Sequence, residues 1–217
     1  MRTFIHEEVY RTAGLMDRIG AANLLFCGAG AVGSNLIENV CRQGFKRISA
    51  IDMDRVEDHN RNSQIWGKRD IGQLKVQALK SRIYFDMGIS LEAIAQKLES
   101  SSIKKLLRFN NPGKHNLVVD GFDNSESREL VTEYCLKNRI DCLHVGLFQD
   151  YAEVLWNEGY RVPKATGALD VCEYPLARNV VLMAVAVATE AIISWINTGE
   201  KKGYYITLKD LKINQAQ

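Results

Sequence analysis

The sequence predicts an α/β fold of the Rossmann-like kind: a mostly parallel sheet, antiparallel strands in its C-terminal third, and helices on both faces. Three observations carry this. Short apolar runs alternate with helical periodicity through the first two thirds of the chain, the pattern of successive βα units. The first run ends in Gly28, Gly30 and Gly33, spaced as in a strand-to-helix turn that cradles phosphate. Asp52 closes the second run, about 20 residues further on, where such folds place a carboxylate against ribose hydroxyls.

In order, a strand is expected over residues 24–28 and a helix over 34–42, with Leu36, Ile37, Val40 and Cys41 on one face. A strand over 47–52, a helix over 71–85, a strand within 89–98 and a short basic helix over 102–109 follow. Asn110, Pro112 and Gly113 then break the chain by turn chemistry. Next come a strand over 116–120, a helix over 125–137 and a strand over 141–146. Residues 151–156 continue the sheet as an antiparallel ribbon. Residues 159–175 hold no periodicity and are punctuated by Pro163, Gly167 and Pro175, so a functional loop is expected there. A core helix over 180–196 and a last strand over 204–208 close what is expected to be a single domain over residues 1–217.

Composition narrows the function classes. The 217 residues are 46% hydrophobic, enough for one well-cored domain. With 28 Lys and Arg against 26 Asp and Glu, the net charge of +2 creates no field that would make nucleic acid or an anionic membrane the main partner. The apolar stretch 180–196 is interrupted by Thr189, Glu190 and Ser194 and falls short of the roughly 20 residues of a bilayer span, so it reads as a buried helix. Cys27, Cys41, Cys135, Cys142 and Cys172 are odd in number, lie far apart and form no CxxC pair, so neither a disulfide framework nor a zinc clamp is indicated, and a reducing cytoplasm is expected.

The glycines let the backbone approach a phosphate while the following helix presents its N–H groups and dipole. That half-motif serves NAD and ATP alike. Residues 54–75 bear on the choice: Asp54, Asn60, Arg61, Asn62, Gln64 and Lys75 form a polar block denser than a nicotinamide enzyme needs and suited to a triphosphate. A nicotinamide enzyme would also want a catalytic histidine, and His6, His59, His115 and His144 have no telling context.

With these residues in view, the chain resembles the ThiF/MoeB/HesA family, the bacterial relatives of ubiquitin-activating enzymes, over nearly its whole length. GAGAVGSN matches the family's glycine loop, DMDRVEDHNRNSQ its acidic and asparagine block, and GQLK its lysine segment. VVDGFDN matches the element that carries a magnesium-binding aspartate, and HVGL at 144–147 and ATEAI at 188–192 match the later strand and closing helix. The resemblance implies ATP-dependent adenylation of a carboxylate, usually the C-terminal glycine of a small ubiquitin-like or sulfur-carrier protein, with release of pyrophosphate. It assigns the nucleotide to Gly28, Gly30, Ala31, Gly33, Asp52, Asp54, Asn60, Gln64 and Lys75, with Asp52 on the ribose and Lys75 on the phosphates. Asp123 would hold Mg2+, and an arginine of the N-terminal segment, Arg11 first among Arg2, Arg11 and Arg18, would reach the ATP, often of a partner subunit, so a homodimer is expected. Cys172, in the long loop, lies near where some relatives carry a cysteine that captures the activated acyl group.

Two departures bear on the resemblance. Ser63 stands where the family has an arginine directly before its glutamine, so one phosphate-facing cation is absent; Arg61 and Arg55 are the nearest substitutes in sequence. Paired CxxC motifs are missing, so no structural zinc is expected. Read singly, Asp52 is a strand-end cap, Lys75 a solvated helix lysine and Asp123 a helix N-cap; their family order favours function. Alternatives left open are a catalytically weak partner subunit of an activating complex, adenylation of a small molecule or a modified tRNA nucleoside, and an NAD-dependent oxidoreductase.

Overall fold

The computed structural model describes residues 3–110, 112–163 and 175–216. In the first strand, β1 (Asn23–Cys27), every residue is buried and alternate side chains serve different cores: Leu24 and Phe26 join one apolar cluster, Leu25 and Cys27 the other. Period-two alternation between two covered faces is what makes a central parallel strand read as an unbroken apolar run.

Beside it lie β2 (Arg47–Ile51), β3 (Glu92–Ile94), β4 (Asn116–Asp120), β5 (Asp141–Phe148), β6 (Tyr151–Trp156), β7 (Tyr204–Thr207) and β8 (Lys212–Gln215), in the spatial order β3-β2-β1-β4-β5-β6-β7-β8. Along this order the first four pairings, β3 through β5, are parallel and the last three, β5 through β8, are antiparallel. The chain runs outward from β1 through β2 and β3, then returns to the other side of β1 as β4. This reversal makes the carboxyl ends of β1 and β4 the topological switch point, the place where open α/β sheets hold ligands.

The helices are α1 (Ile5–Arg11), α2 (Ala13–Ala21), α3 (Ala31–Arg42), α4 (Lys75–Met87), α5 (Ile103–Leu106), α6 (Ser125–Asn138) and α7 (Arg178–Thr198). Residues of α2, α3, α4 and α7 fill the larger cluster, and those of α5 and α6 fill the smaller one on the opposite face. The 21-residue α7 packs on α3, α2 and β6 and buries eleven side chains, among them Ile192, Ile193 and Ile196. Each such burial contributes about 1.5–3 kcal/mol as an upper estimate. Its length is that of a bilayer span, longer than the sequence suggests; burial, not shortness, marks it as a core helix.

Several boundaries differ from expectation for physical reasons. The helix expected over 71–85 begins at Lys75, because Leu74 bridges to Arg55 and the Lys75 N–H donates to the Asp54 carbonyl at 2.8 Å. The helix expected over 34–42 starts three residues earlier, on the glycine turn itself. The strand within 89–98 shrinks to three residues, and the basic helix within 102–109 to a single turn. The helices α1 and α2 and the edge strand β8 were not expected. All four residues of β8 are exposed, so no burial pattern announces it.

Candidate functional site

At the carboxyl end of β1 the chain turns sharply through Gly28 and enters α3. Gly28 adopts φ +99°, and a Cβ there would meet the Gly121 carbonyl at 3.2 Å. Gly33 is tighter: its Cβ would lie 1.9 Å from the Gly28 carbonyl oxygen, so any side chain would push the helix off the turn. Above Gly30, by contrast, nothing lies within 4 Å. The first turn of α3 has N–H groups without intrahelical acceptors, and no side chain caps it at Gly30. The turn is therefore a donor-rich concavity that suits an anion in shape and in charge.

Asp52, 8% exposed, flanks it. One carboxylate oxygen accepts from the Ala29 N–H at 2.7 Å and the other from the Asp54 N–H at 2.7 Å. Burial raises its pKa above the ordinary carboxylate value, opposed by the Lys75 charge and by those two N–H groups. Asp52 thus braces the turn from the end of β2. Lys75 is not a solvated helix lysine: it is 7% exposed and donates to Asp54 at 2.9 Å.

The segment between them arches over α3. Asn35, on the first turns of α3, donates to the carbonyls of Ala31 at 2.7 Å and Ser63 at 2.8 Å, tying residues 60–64 to the glycine turn. Asn60 is buried and its side-chain oxygen accepts from the Glu57 N–H at 2.9 Å. Gln64 is also buried, its side-chain oxygen accepting from Trp66 at 2.5 Å. Both amides hold the strap together. Arg61 donates to Asp58 at 2.6 Å and Arg55 to the Gly72 carbonyl at 2.7 Å. Beside the strap opens a cleft of about 660 Å³, lined by Asn35, Asn39, Arg61, Asn62, Gln64 and Arg178 among others. A separate cleft of about 570 Å³ carries Glu99, Glu126, Glu129 and Glu133, and its charge opposes phosphate.

Asp123 follows β4 and lies beside the turn because Gly121 donates to the Cys27 carbonyl at 2.9 Å and packs on Gly28. The helix α6 is capped by Asn124, which accepts from the Ser127 N–H at 2.8 Å, so the exposed Asp123 carboxylate is not used as the cap. Behind this loop sits a buried polar network that sequence reasoning missed. Arg128 donates to the carbonyls of Phe122 at 2.5 Å and Val145 at 2.9 Å and to the Tyr160 hydroxyl at 2.8 Å. Asp120 accepts from the Phe122 N–H at 3.1 Å and bonds His144 at 2.9 Å; His144 in turn bonds Asn157 and stacks on Tyr160, centroids 3.9 Å apart. Burial works against the Arg128 charge, and the nearby Asp120 overcomes it, raising the pKa.

The other expected residues lie apart. Arg11 pairs with Glu7 and Glu190 and donates to Gln43 at the far end of α3, about 18 Å from the turn of its own chain by helix rise. Cys172 falls outside the described residues; Cys27, Cys41, Cys135 and Cys142 are buried.

Fold, switch point and donor-rich glycine turn define a doubly wound α/β domain of the kind that holds ligands at the carboxyl ends of its strands. The ThiF family model matches residues 4–214, so this chain belongs to the ThiF family. It is 28% identical over 133 residues to the SUMO-activating enzyme subunit 2 of Dictyostelium discoideum, covering 60% of this chain and 19% of that protein. It is 29% identical over 119 residues to the sulfur carrier protein adenylyltransferase of Thermus thermophilus, covering 54% of this chain and 42% of the relative. The chain therefore spans less than half the length of these curated relatives. Among solved structures, Escherichia coli MccB crystallised with ATP superposes with a TM-score of 0.78 at 19% identity, covering 100% of this chain and 70% of that one. At that identity the likeness is one of fold.

Proposed function

We propose that this chain activates a carboxylate by adenylation with ATP, its substrate being the C-terminal carboxylate of a small ubiquitin-like or sulfur-carrier protein. The observation that carries the reading is the uncapped glycine turn at the switch point, flanked by buried Lys75 on one side and the exposed Asp123 carboxylate on the other. The names of the relatives, an adenylyltransferase and an activating-enzyme subunit, support it.

The triphosphate rests on the N–H groups of the turn, with the ribose toward Asp52. The carboxylate oxygen of the substrate forms a bond to the α-phosphorus as the bond from that phosphorus to its bridging oxygen breaks; the electron pair leaves on pyrophosphate. No proton need move. Positioning and neutralisation of the spreading negative charge do the catalysis. Asp54 pairs with the Lys75 ammonium and aims it, and Lys75 meets the phosphates. Asp123, a hard oxygen ligand on a braced loop, would hold Mg2+, which would supply positive charge to the phosphates and the leaving group. We also propose a homodimer in the cytoplasm, in which Arg11 serves the partner's nucleotide, because its own turn lies a helix length away.

Pyrophosphate exchange into ATP tests the reading. Exchange should require a carrier with a free C-terminal carboxylate, and Lys75→Ala and Asp123→Ala should each lower it at least about 100-fold. Nicotinamide binding without exchange would refute it.

A further inference from the structure

We propose that Arg178 binds the pyrophosphate half of ATP and neutralises the departing group, an inference that rests on the adenylation reading above.

The cations near the turn are mostly committed. Lys75 is paired with Asp54 and Arg61 with Asp58, while Arg55 bonds the Gly72 carbonyl. Arg178 differs. It is the first residue of α7, exposed, and its one described hydrogen bond is to the Asn62 carbonyl at 3.1 Å. No described carboxylate lies within ion-pair distance of it. Asn62 is next to Ser63, whose carbonyl Asn35 ties to the first turn of α3. The guanidinium therefore stands on the strap that Asn35 ties to the first turn of α3, and lines the same cleft as Asn35, Glu38 and Gln64.

A guanidinium offers five donors in a rigid fork. One is spent on Asn62, and that bond fixes the arm; among the described residues the other donors meet no acceptor, which suits them to phosphate oxygens. Ser63 brings no charge to the strap. Arg178, 116 positions away in sequence, brings one there by tertiary packing. Its contribution belongs to the charge that grows as pyrophosphate leaves, and it adds nothing to recognition of adenosine or the α-phosphate.

Calorimetric titration of ATP and of AMP, both with Mg2+, into the whole chain separates the possibilities. Arg178→Ala should weaken ATP by on the order of 10- to 100-fold and leave AMP unchanged, since a charge-assisted hydrogen bond to the outer phosphates is lost. Arg178→Lys should recover part of the loss, and Arg178→Gln, which keeps a donor for Asn62 without charge, should behave as the alanine variant. Equal losses for ATP and AMP would mean that Arg178 only holds the strap, and would overturn the proposal, as would ATP affinity like that of the parent chain in Arg178→Ala. A parent chain that binds neither nucleotide would instead sink the adenylation reading.

Discussion

Gly33 and Gly30 sit three residues apart and answer to different demands. A Cβ on Gly33 would stand 1.9 Å from a backbone oxygen that cannot move without undoing the turn, whereas one on Gly30 would enter open space. Gly33→Ala should therefore destabilise the fold by several kcal/mol, at least about 3, in urea unfolding. Gly30→Ala should leave stability within about 1 kcal/mol and yet weaken ATP, because the proposed function puts a phosphate in the open space its methyl would enter. Equal stability losses from the two would show that the turn is not built around a ligand. At this scale the sequence was informative wherever chemistry depends on local spacing. Gly28, Gly30, Gly33 and Asp52 are legible because turn, helix start and strand end lie close in the chain. Asp123 and Lys75 are legible only through their order among the family's motifs. Arg128, His144, Tyr160 and Arg178 were not legible, because each acquires its partner across long stretches of chain, 32 residues in the case of Arg128 and Tyr160.

The element that presents Asp123, the metal ligand of the proposed reaction, is the loop between β4 and α6. Its own backbone is short and its Asp123 is exposed, so rigidity must come from behind. Asp120 holds the Phe122 N–H and Arg128 the Phe122 carbonyl, so both sides of one peptide segment are gripped by a single buried ion network. Removing Arg128 leaves Asp120 buried without its nearby guanidinium, at 4.0 Å, and opens the Phe122 and Val145 carbonyls. Breaking such a buried arrangement costs about 3–5 kcal/mol. Arg128→Ala should lose stability of that size in chemical denaturation, and Arg128→Lys should stay folded but lose rate rather than ATP affinity as Asp123 becomes less well held. A lysine variant with unchanged rate would remove the loop's dependence on the network. Among elements, central strands and long amphipathic helices were legible because two covered faces and a helical stripe leave periodic traces. The paired helices α1 and α2 were not: α1 buries nothing, and α2 buries only Leu15 and Ile19. The exposed β8 leaves no trace at all.

Across the whole molecule, one sheet order brings three separate segments to a common edge. β1 supplies the turn, β2 supplies Asp52 and the strap, and β4 supplies Asp123, because the chain reverses direction about β1. Parallel pairing puts the carboxyl ends of all three strands on the same side, and residues far apart in sequence become neighbours there. The antiparallel strands and α7 complete the core from the other end of the chain, and α7 also carries Arg178 to the strap. The measurement that tests this assembly most directly is a crystal structure with a non-hydrolysable ATP analogue and Mg2+. The account predicts phosphates on the N–H groups of residues 30–33, Lys75 and Arg178 on phosphate oxygens, and the metal on Asp123. A nucleotide bound elsewhere, with Lys75 still paired to Asp54 alone and Asp123 facing only water, would contradict it.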